Sequence, residues 1–373
     1  MSSHCRNNQV QEKPTHFFAK ELAGEQPPTF ETMQLLCGLA SDLLERRPWD
    51  LLDESELVLV RGPVSGEICH CSVMGALGEV YALHAYLGPE SYRFFRKLES
   101  GATITVGEFF ASQYSVSVEF VRSAELEVAD RSLLSALGRR QKKGALAPMF
   151  RTIRPGYHPW HVTEAEAKIL AECLWAVITM CELLGTNDDL DYWDREDVYP
   201  LVSRGNGDEP EQKYEIKLTE VVNPPALMLE PATWDKTQVR CIREGKYPSR
   251  GAIELDHFYG AAMIGNRNER KACCRMALAI DSKTGFVYPP KLLLPSASTG
   301  DALVGAILQT IDAAGAVPRE IRVKESTFKT LLEPLAENLG FQVRVVKSLP
   351  ALDRAKESLL QMMGEPGPYT TFP

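Results

Sequence analysis

The 373-residue sequence has no unbroken apolar run of the roughly eighteen residues that a membrane-spanning helix needs. Its most apolar stretch, 169–184, is interrupted by Glu172, Thr179 and Glu182 and reads as a buried helix for a core or a subunit interface. The first thirty residues carry Lys13, Pro14, His16, Gln26, Pro27 and Pro28 but no apolar block of signal-peptide length, so they read as a loose tail and not as a secretion signal. A basic surplus is also missing. Lys and Arg number 41 against 50 Asp and Glu, a net charge of −9, which argues against a protein that coats nucleic-acid phosphates. There is no Walker loop and no dinucleotide fingerprint; Gly75-Ala76-Leu77-Gly78 is a short turn between strands. CxxC pairs are absent, and the nine cysteines are odd in number and irregularly spaced, which points to reduced thiols in a cytoplasm.

What is present is ordinary for a globular chain: 44% hydrophobic and 24% charged residues, too apolar for a disordered protein. The length predicts about two domains at roughly 150 residues each. Residues 29–47 carry a helical stripe of Met33, Leu36, Leu39, Ala40, Leu43 and Leu44, stopped by Pro48, with Trp49, Leu51 and Leu52 as a clasp beyond it. Strand-like runs at 56–61, 67–74 and 79–87, joined by glycine-containing turns, predict an antiparallel meander. A helix at 89–98 and a half-buried strand at 115–121 follow. Thr163 and Glu166 form a capping box that opens a helix ending at Gly185. Residues 186–213 are acidic and turn-rich, lack the Gly and Glu of a calcium loop, and read as a linker.

Beyond it, strand-like pieces lie at 214–222 and 252–259. Then 275–281, 286–288 and 291–294 read as strands, 301–314 as a helix, 320–324 as a strand, 326–339 as a helix broken near Pro334, 341–346 as a strand and 350–363 as a helix. The expected organisation is a tail (1–28), an α+β domain (29–185), the linker (186–213), an α/β domain of order β-β-β-α-β-α-β-α (214–364) and a second tail (365–373). Val60 to Gly66 and Ala279 to Gly285 echo one another as strand exits closed by a small hydroxyl residue and Gly, a match that hairpin chemistry explains.

Four motifs carry a family likeness: Pro48-Trp49, Cys71-Ser72-Val73-Met74-Gly75-Ala76-Leu77-Gly78-Glu79, Arg154-Pro155-Gly156-Tyr157-His158-Pro159-Trp160, and Leu349-Pro350-Ala351-Leu352-Asp353. Together they resemble a bacterial family that pairs two domains of unknown function, over roughly residues 30–363. The resemblance implies a bacterial cytoplasmic protein and supplies no catalytic residues to carry over.

The C-terminal element order is similar to a ribonuclease H-like or integrase-like fold, in which acids at the end of the first strand, after the fourth strand and on a later helix hold two magnesium ions. Asp281, Glu325 and Glu357 occupy comparable places and are the candidate metal-binding and catalytic residues. Two features weigh against them. Lys324 precedes Glu325 and would oppose a divalent ion, and Glu357 lies roughly 140° from Leu352 around the last helix, away from its apolar stripe. Asp281 also has a plain role, accepting turn N–H bonds at the head of a hairpin.

Other clusters have bland readings. Cys69-His70-Cys71 alternates across a strand, so His70 cannot join both thiols, and core packing is expected. His158 and His161 are separated by Pro159 before the helix begins, which is not zinc-protease geometry. Arg139, Arg140, Lys142 and Lys143, with Arg151 and Arg154, read as a solvated basic loop or an anion contact. Asp256-His257 suits acid–base work or a hydrogen-bonded core histidine, with no Ser or Cys nucleophile marked. The leading expectation is a non-enzymatic binding or adaptor protein with an unidentified protein or small-molecule partner, no cofactor and no membrane contact. The alternative is a metal-dependent nuclease or a degenerate relative of one, which alone would need Mg; a third is an oligomeric scaffold.

Overall fold

A computed structural model describes residues 14–62, 66–104, 106–139, 142, 144–186, 192–204, 214–222, 231–295 and 297–362. The Thr29 hydroxyl accepts from Thr32 N and starts α1 (Phe30–Arg46), which buries Met33, Leu36, Cys37, Ala40 and Leu43. Beyond Pro48 the chain turns so that Trp49 meets Tyr81, their rings 4.6 Å apart. The meander is β1 (Val58–Arg61), β2 (Ile68–Met74) and β3 (Ala82–Leu87). Its second turn depends on Gly75, which sits at φ +143; a Cβ there would lie 2.7 Å from Tyr81 Cδ1 and 3.0 Å from Trp49. The Pro48-Trp49 and Gly75 motifs are thus one packing unit.

Next come α2 (Gly88–Glu99), α3 (Val106–Ser112), β4 (Ser115–Arg122), α4 (Val128–Ala136), β5 (Leu146–Ile153) and α5 (Glu164–Leu184). The chain then forms β6 (Val198–Arg204) and β7 (Tyr214–Glu220). The resulting seven-stranded sheet has the order β5-β4-β3-β2-β1-β6-β7, antiparallel except where β6 runs parallel to β1. On one face α1 and α5 bury Val58, Val60, Cys69, Cys71 and Val73. On the other, Tyr92, Phe94 and Phe95 of α2 pack on Leu57, Leu59 and Tyr86. Leu170, Cys173, Leu174 and Val177 are wholly buried, so α5 is a core helix.

Two expected boundaries move. β6 pairs with β1 and β7 pairs with β6, so the first sheet extends through the expected linker to Glu220; residues 187–191 and 205–213 of that linker lie outside the described residues. The stretch 14–28, expected within a tail, is a strap across the first unit. Phe17 N donates to Pro28 O, Trp160 Nε1 donates to Glu21 O at 2.7 Å, Glu164 N donates to Gln26 O, and Phe17, Phe18 and Leu22 are buried. Residues 1–13 and 363–373 of the two expected tails, and 63–65 of the first hairpin echo, lie outside the described residues.

The second unit comprises α6 (Lys236–Glu244), β8 (Ala252–Ile264), β9 (Ala272–Asp281), β10 (Lys291–Leu293), α7 (Thr299–Ala314), β11 (Glu320–Val323), α8 (Ser326–Leu339), β12 (Gln342–Val345) and α9 (Pro350–Met362). Pro334 lies within α8, which runs unbroken. The sheet order is β10-β9-β8-β11-β12; β8, β9 and β10 are antiparallel, and β11 and β12 run parallel to β8. The order β-β-β-α-β-α-β-α is present, but its first strand is β8. The expected strand at 286–288 is a single bridge between Ile280 and Val287. Helices α6, α7 and α8 cover the face bearing Ile253, Leu255, Ala277 and Ile321. Helix α9 covers the face bearing Phe258, Met276, Leu278 and Ile280. Residues 231–362 hold 19 Lys and Arg against 14 Asp and Glu, so the acidic excess of the chain lies elsewhere.

Candidate functional site

The three candidate acids do not meet. Asp281 pairs with Ile253, and Ile253 pairs with Ile321, so Asp281 stands level with Ile321 two strands away. Glu325 follows Ile321 by four residues and caps α8 beyond the far end of β11. At about 3.3 Å per residue and about 4.8 Å between strands, the two backbones are on the order of 16 Å apart. A two-metal site needs its ligands around ions about 4 Å apart. Asp281 Oδ1 instead accepts from Lys283 N, Thr284 N and Thr284 Oγ1, the turn role anticipated for it. Those bonds outweigh burial and lower its pKa. Glu325 accepts from Thr327 Oγ1 at 3.3 Å, and Glu357 is exposed.

A different set gathers where α9 crosses β8. Glu254, Asp256 and Phe258 share one face of β8 by alternation. The buried Glu254 carboxylate accepts from Leu352 N at 2.9 Å, placing an anion at the N-terminus of α9. Asp256 is half-buried and accepts from its neighbour's His257 N at 2.8 Å. Burial raises its pKa, with Asp353 adding to the rise; Lys356, Lys324 and the His257 N–H pull against it. Lys324 Nζ meets Asp353 Oδ1 at 2.7 Å, and Lys356 Nζ lies 4.6 Å from the Phe258 ring centre. Three acids, Glu254, Asp256 and Asp353, and two ammonium groups, Lys324 and Lys356, therefore share this corner. Among the described residues no group of three or more His, Cys, Asp and Glu is arranged to hold a metal ion.

The pairing of Asp256 with His257 is broken by the same alternation. His257 faces α7, where its Nε2 accepts from Arg275 Nε at 2.6 Å. Burial first, and then the Arg275 and Lys356 charges, lower its pKa to about 3, so the ring is a neutral acceptor. Arg275 is buried, bonds Thr299 Oγ1 at 2.7 Å and the carbonyls of Ala297 and Pro295, and thereby fixes the loop leading into α7.

Arg154 to Trp160 proves to be the seam between the units. His158 N donates to Lys271 O, Cys273 N donates to Gly156 O, and Tyr157 bridges Ala272. Gly156 has φ +82, and a Cβ there would lie 2.7 Å from Pro295 Cβ, so both conformation and contact require glycine. Behind this seam lies a buried polar cluster. Glu166, fully buried, accepts at Oε1 from Arg154 Nε (2.8 Å), Thr152 Oγ1 (2.9 Å) and Tyr114 Oη (3.3 Å). At Oε2 it accepts from Thr163 N (2.8 Å) and Thr163 Oγ1 (2.9 Å), and Arg270 Nη2 of the second unit stands 3.8 Å away. Burial raises the Glu166 pKa, but Arg154, Thr163 and Arg270 together outweigh it and the net shift is downward.

The basic loop is largely structural. Arg151 is buried on β5 and grips Asp130 with two bonds of 2.9 and 2.8 Å; Arg139 Nη1 donates to Ser41 Oγ. Arg140 and Lys143 lie outside the described residues. The histidines of the seam diverge: His158 packs on Phe110 and His161 stacks on Phe18 at 4.4 Å. Burial, and secondarily Arg151, lower the His161 pKa to about 4. His70 points away from Cys69 and Cys71 and stacks on Tyr92, while the two thiols meet Cys173 of α5.

Sequence reasoning missed Asp256, Asp353 and Lys356 as a group because it took β9 for the first strand. The signal was the polar pattern of β8. It missed the tertiary role of Glu166 because a capping box explained that residue locally. No helix among the described residues is long and apolar enough to cross a membrane. A comparison with curated proteins gave no match. The family model of Domain of unknown function (DUF7309) matches residues 34–199, that of Domain of unknown function (DUF6930) matches residues 239–360, and the chain therefore joins two domains of unknown function.

Proposed function

We propose that the chain is a non-enzymatic binding or adaptor protein of the bacterial cytoplasm, whose second unit has a ribonuclease H-like arrangement without metal chemistry. The sheet order β10-β9-β8-β11-β12, with β11 and β12 parallel to the first strand, supports the arrangement. The observation that carries the functional reading is the Lys324–Asp353 contact of 2.7 Å beside Asp256. At the corner where such enzymes collect carboxylates for two magnesium ions, this chain sets two ammonium groups among its acids, and their charge repels a divalent ion. The residues do not fit the metals. What remains is a pair of units joined by a specific seam, suited to presenting surfaces to a protein or small-molecule partner. The free thiols favour the cytoplasmic placement.

Calorimetry with magnesium, run alongside cleavage assays on single- and double-stranded nucleic acid, tests the reading. No magnesium binding at millimolar concentration and no cleavage are expected. Magnesium-dependent cleavage that disappears in Asp256→Asn or Asp281→Asn overturns it and establishes a nuclease.

A further inference from the structure

We propose that Arg154 and Arg270 form a clamp for a compact oxyanion, a phosphate group above all, and that Glu25 of the strap occupies this clamp in cis. Glu25 Oε2 meets Arg154 Nη1 at 2.7 Å, and its two oxygens face Arg270 Nε and Nη2 at 3.3 and 3.5 Å. Charge-assisted bonds run near 2.7–2.9 Å, so Arg270 is held loosely. Its side chain is only 5% exposed, and Arg270 Nη1 has no hydrogen-bond partner. A guanidinium has five donors and a buried one is ordinarily satisfied. Glu166 does not make up the deficit, because the stronger donors already described occupy both of its oxygens. A carboxylate offers two oxygens in one plane; a phosphate offers oxygens in three directions and can reach Nη1 while keeping Arg154.

The charge balance favours exchange over simple addition. Two arginines face two glutamates, Glu25 and Glu166. When Glu25 leaves, one positive charge stays in a partly buried site and calls for an anion. Only that side chain has to move: Glu25 and Arg154 are each 29% exposed at the side chain, so the clamp opens to solvent at their end and is closed at Arg270. Because Arg270 belongs to the second unit and Arg154 to the first, an anion bound there touches both sides of the seam. The site is remote from the α9 corner and does not depend on what that corner binds.

The test uses the full chain carrying Glu25→Gln, which keeps the side-chain shape and removes its charge. Calorimetric titration with inorganic phosphate is expected to show at least tenfold tighter binding in the variant than in the wild-type protein, with a phosphate-dependent rise in its melting temperature. Adding Arg270→Gln to that background should abolish the gain. Should that double variant fail to fold, Glu25→Gln with Arg154→Gln serves the same purpose at a more exposed position. Titration with glycerol 3-phosphate separates the sources: tighter binding of the ester assigns the clamp to a phosphorylated small molecule, and equal binding to free phosphate. The proposal is overturned if Glu25→Gln binds neither probe more tightly than the wild type, or if the added Arg270→Gln, or Arg154→Gln in its place, leaves the gain intact.

Discussion

Replacing Glu166 by Gln removes the charge from the most heavily bonded carboxylate of the junction while keeping its shape. In the native chain that carboxylate serves Arg154, Thr152, Tyr114 and Thr163 within 3.3 Å, and Arg270 at 3.8 Å. Breaking a buried ion pair by removing one partner costs about 3–5 kcal/mol, because the surviving charge stays buried. Arg154 is partly exposed and Glu25 remains near both arginines, so the lower end applies: about 3 kcal/mol. With a urea dependence of about 2 kcal/mol per molar, the midpoint of the transition that reports the first unit should fall by roughly 1.5 M. The pH dependence is a second constraint. The native pKa of Glu166 lies below its ordinary value. The stabilisation is therefore fully present above the unfolded value of about 4.3 and is lost as pH falls through the native value. The gap between wild type and variant should be flat from about pH 7 to 5 and narrow below about pH 4. A midpoint shift under about 0.3 M, or a gap that widens on acidification, refutes the account of Glu166 as the anchor of this cluster.

Gly156→Ala places a β-carbon at φ +82 against Pro295; a loss of at least about 1–2 kcal/mol is expected, with faster hydrogen exchange at Cys273 N–H, which donates across the seam. Asp281→Asn should cost about 1 kcal/mol through its weakened turn bonds and leave every binding property of the α9 corner unchanged, as read by urea unfolding and calorimetry. Among the described cysteines, a thiol reagent followed by peptide mapping should label exposed Cys241 in the native state. Cys37, pushed up to about 12 chiefly by burial, and Cys69, raised by its Cys173 hydrogen bond and by burial, should react only on unfolding.

The parts of the fold visible in the sequence are those whose burial follows a local period. Met33 to Leu44 and Leu303 to Ile311 mark α1 and α7 because each presents one apolar stripe to a sheet. β7 has a weaker signal: it is an edge strand whose residues are half-buried or exposed, so Tyr214, Ile216 and Leu218 alternate with charges and read as part of a different unit. β8 misleads for the opposite reason. It is the central strand of its sheet, yet Glu254, Asp256 and His257 give it a polar look. Those residues are tolerated because Leu352 N of α9 donates to Glu254 and the Lys356 and Lys324 charges act on Asp256 on one side, and Arg275 meets His257 on the other. Reading past β8 shifted the strand count by one, and that shift put the candidate first-strand acid at Asp281, at the wrong end of the sheet.

Glu166 shows why the site was harder to read than the fold. As the third residue of a capping box it explains itself within four residues, since Thr163 N donates to Oε2. The other oxygen, Oε1, takes its bonds from Tyr114 just before β4, from Thr152 of β5 and from Arg154, while Arg270, more than a hundred residues along the chain, stands beside Oε2. A local motif satisfies half of a carboxylate and is silent about the rest. Charge pairs such as Arg151–Asp130 and Arg270–Glu25 have no period at all, so composition sees them only as a net sum. That sum, −9 overall, conceals a second unit in which basic residues outnumber acidic ones, and its Arg270 meets Glu25 and Glu166 of the acidic first unit. The opposed charges are therefore spent in part on holding the two units together. Surface charge alone is then a poor guide to what either unit binds, and the donor left over at Arg270 is a better one.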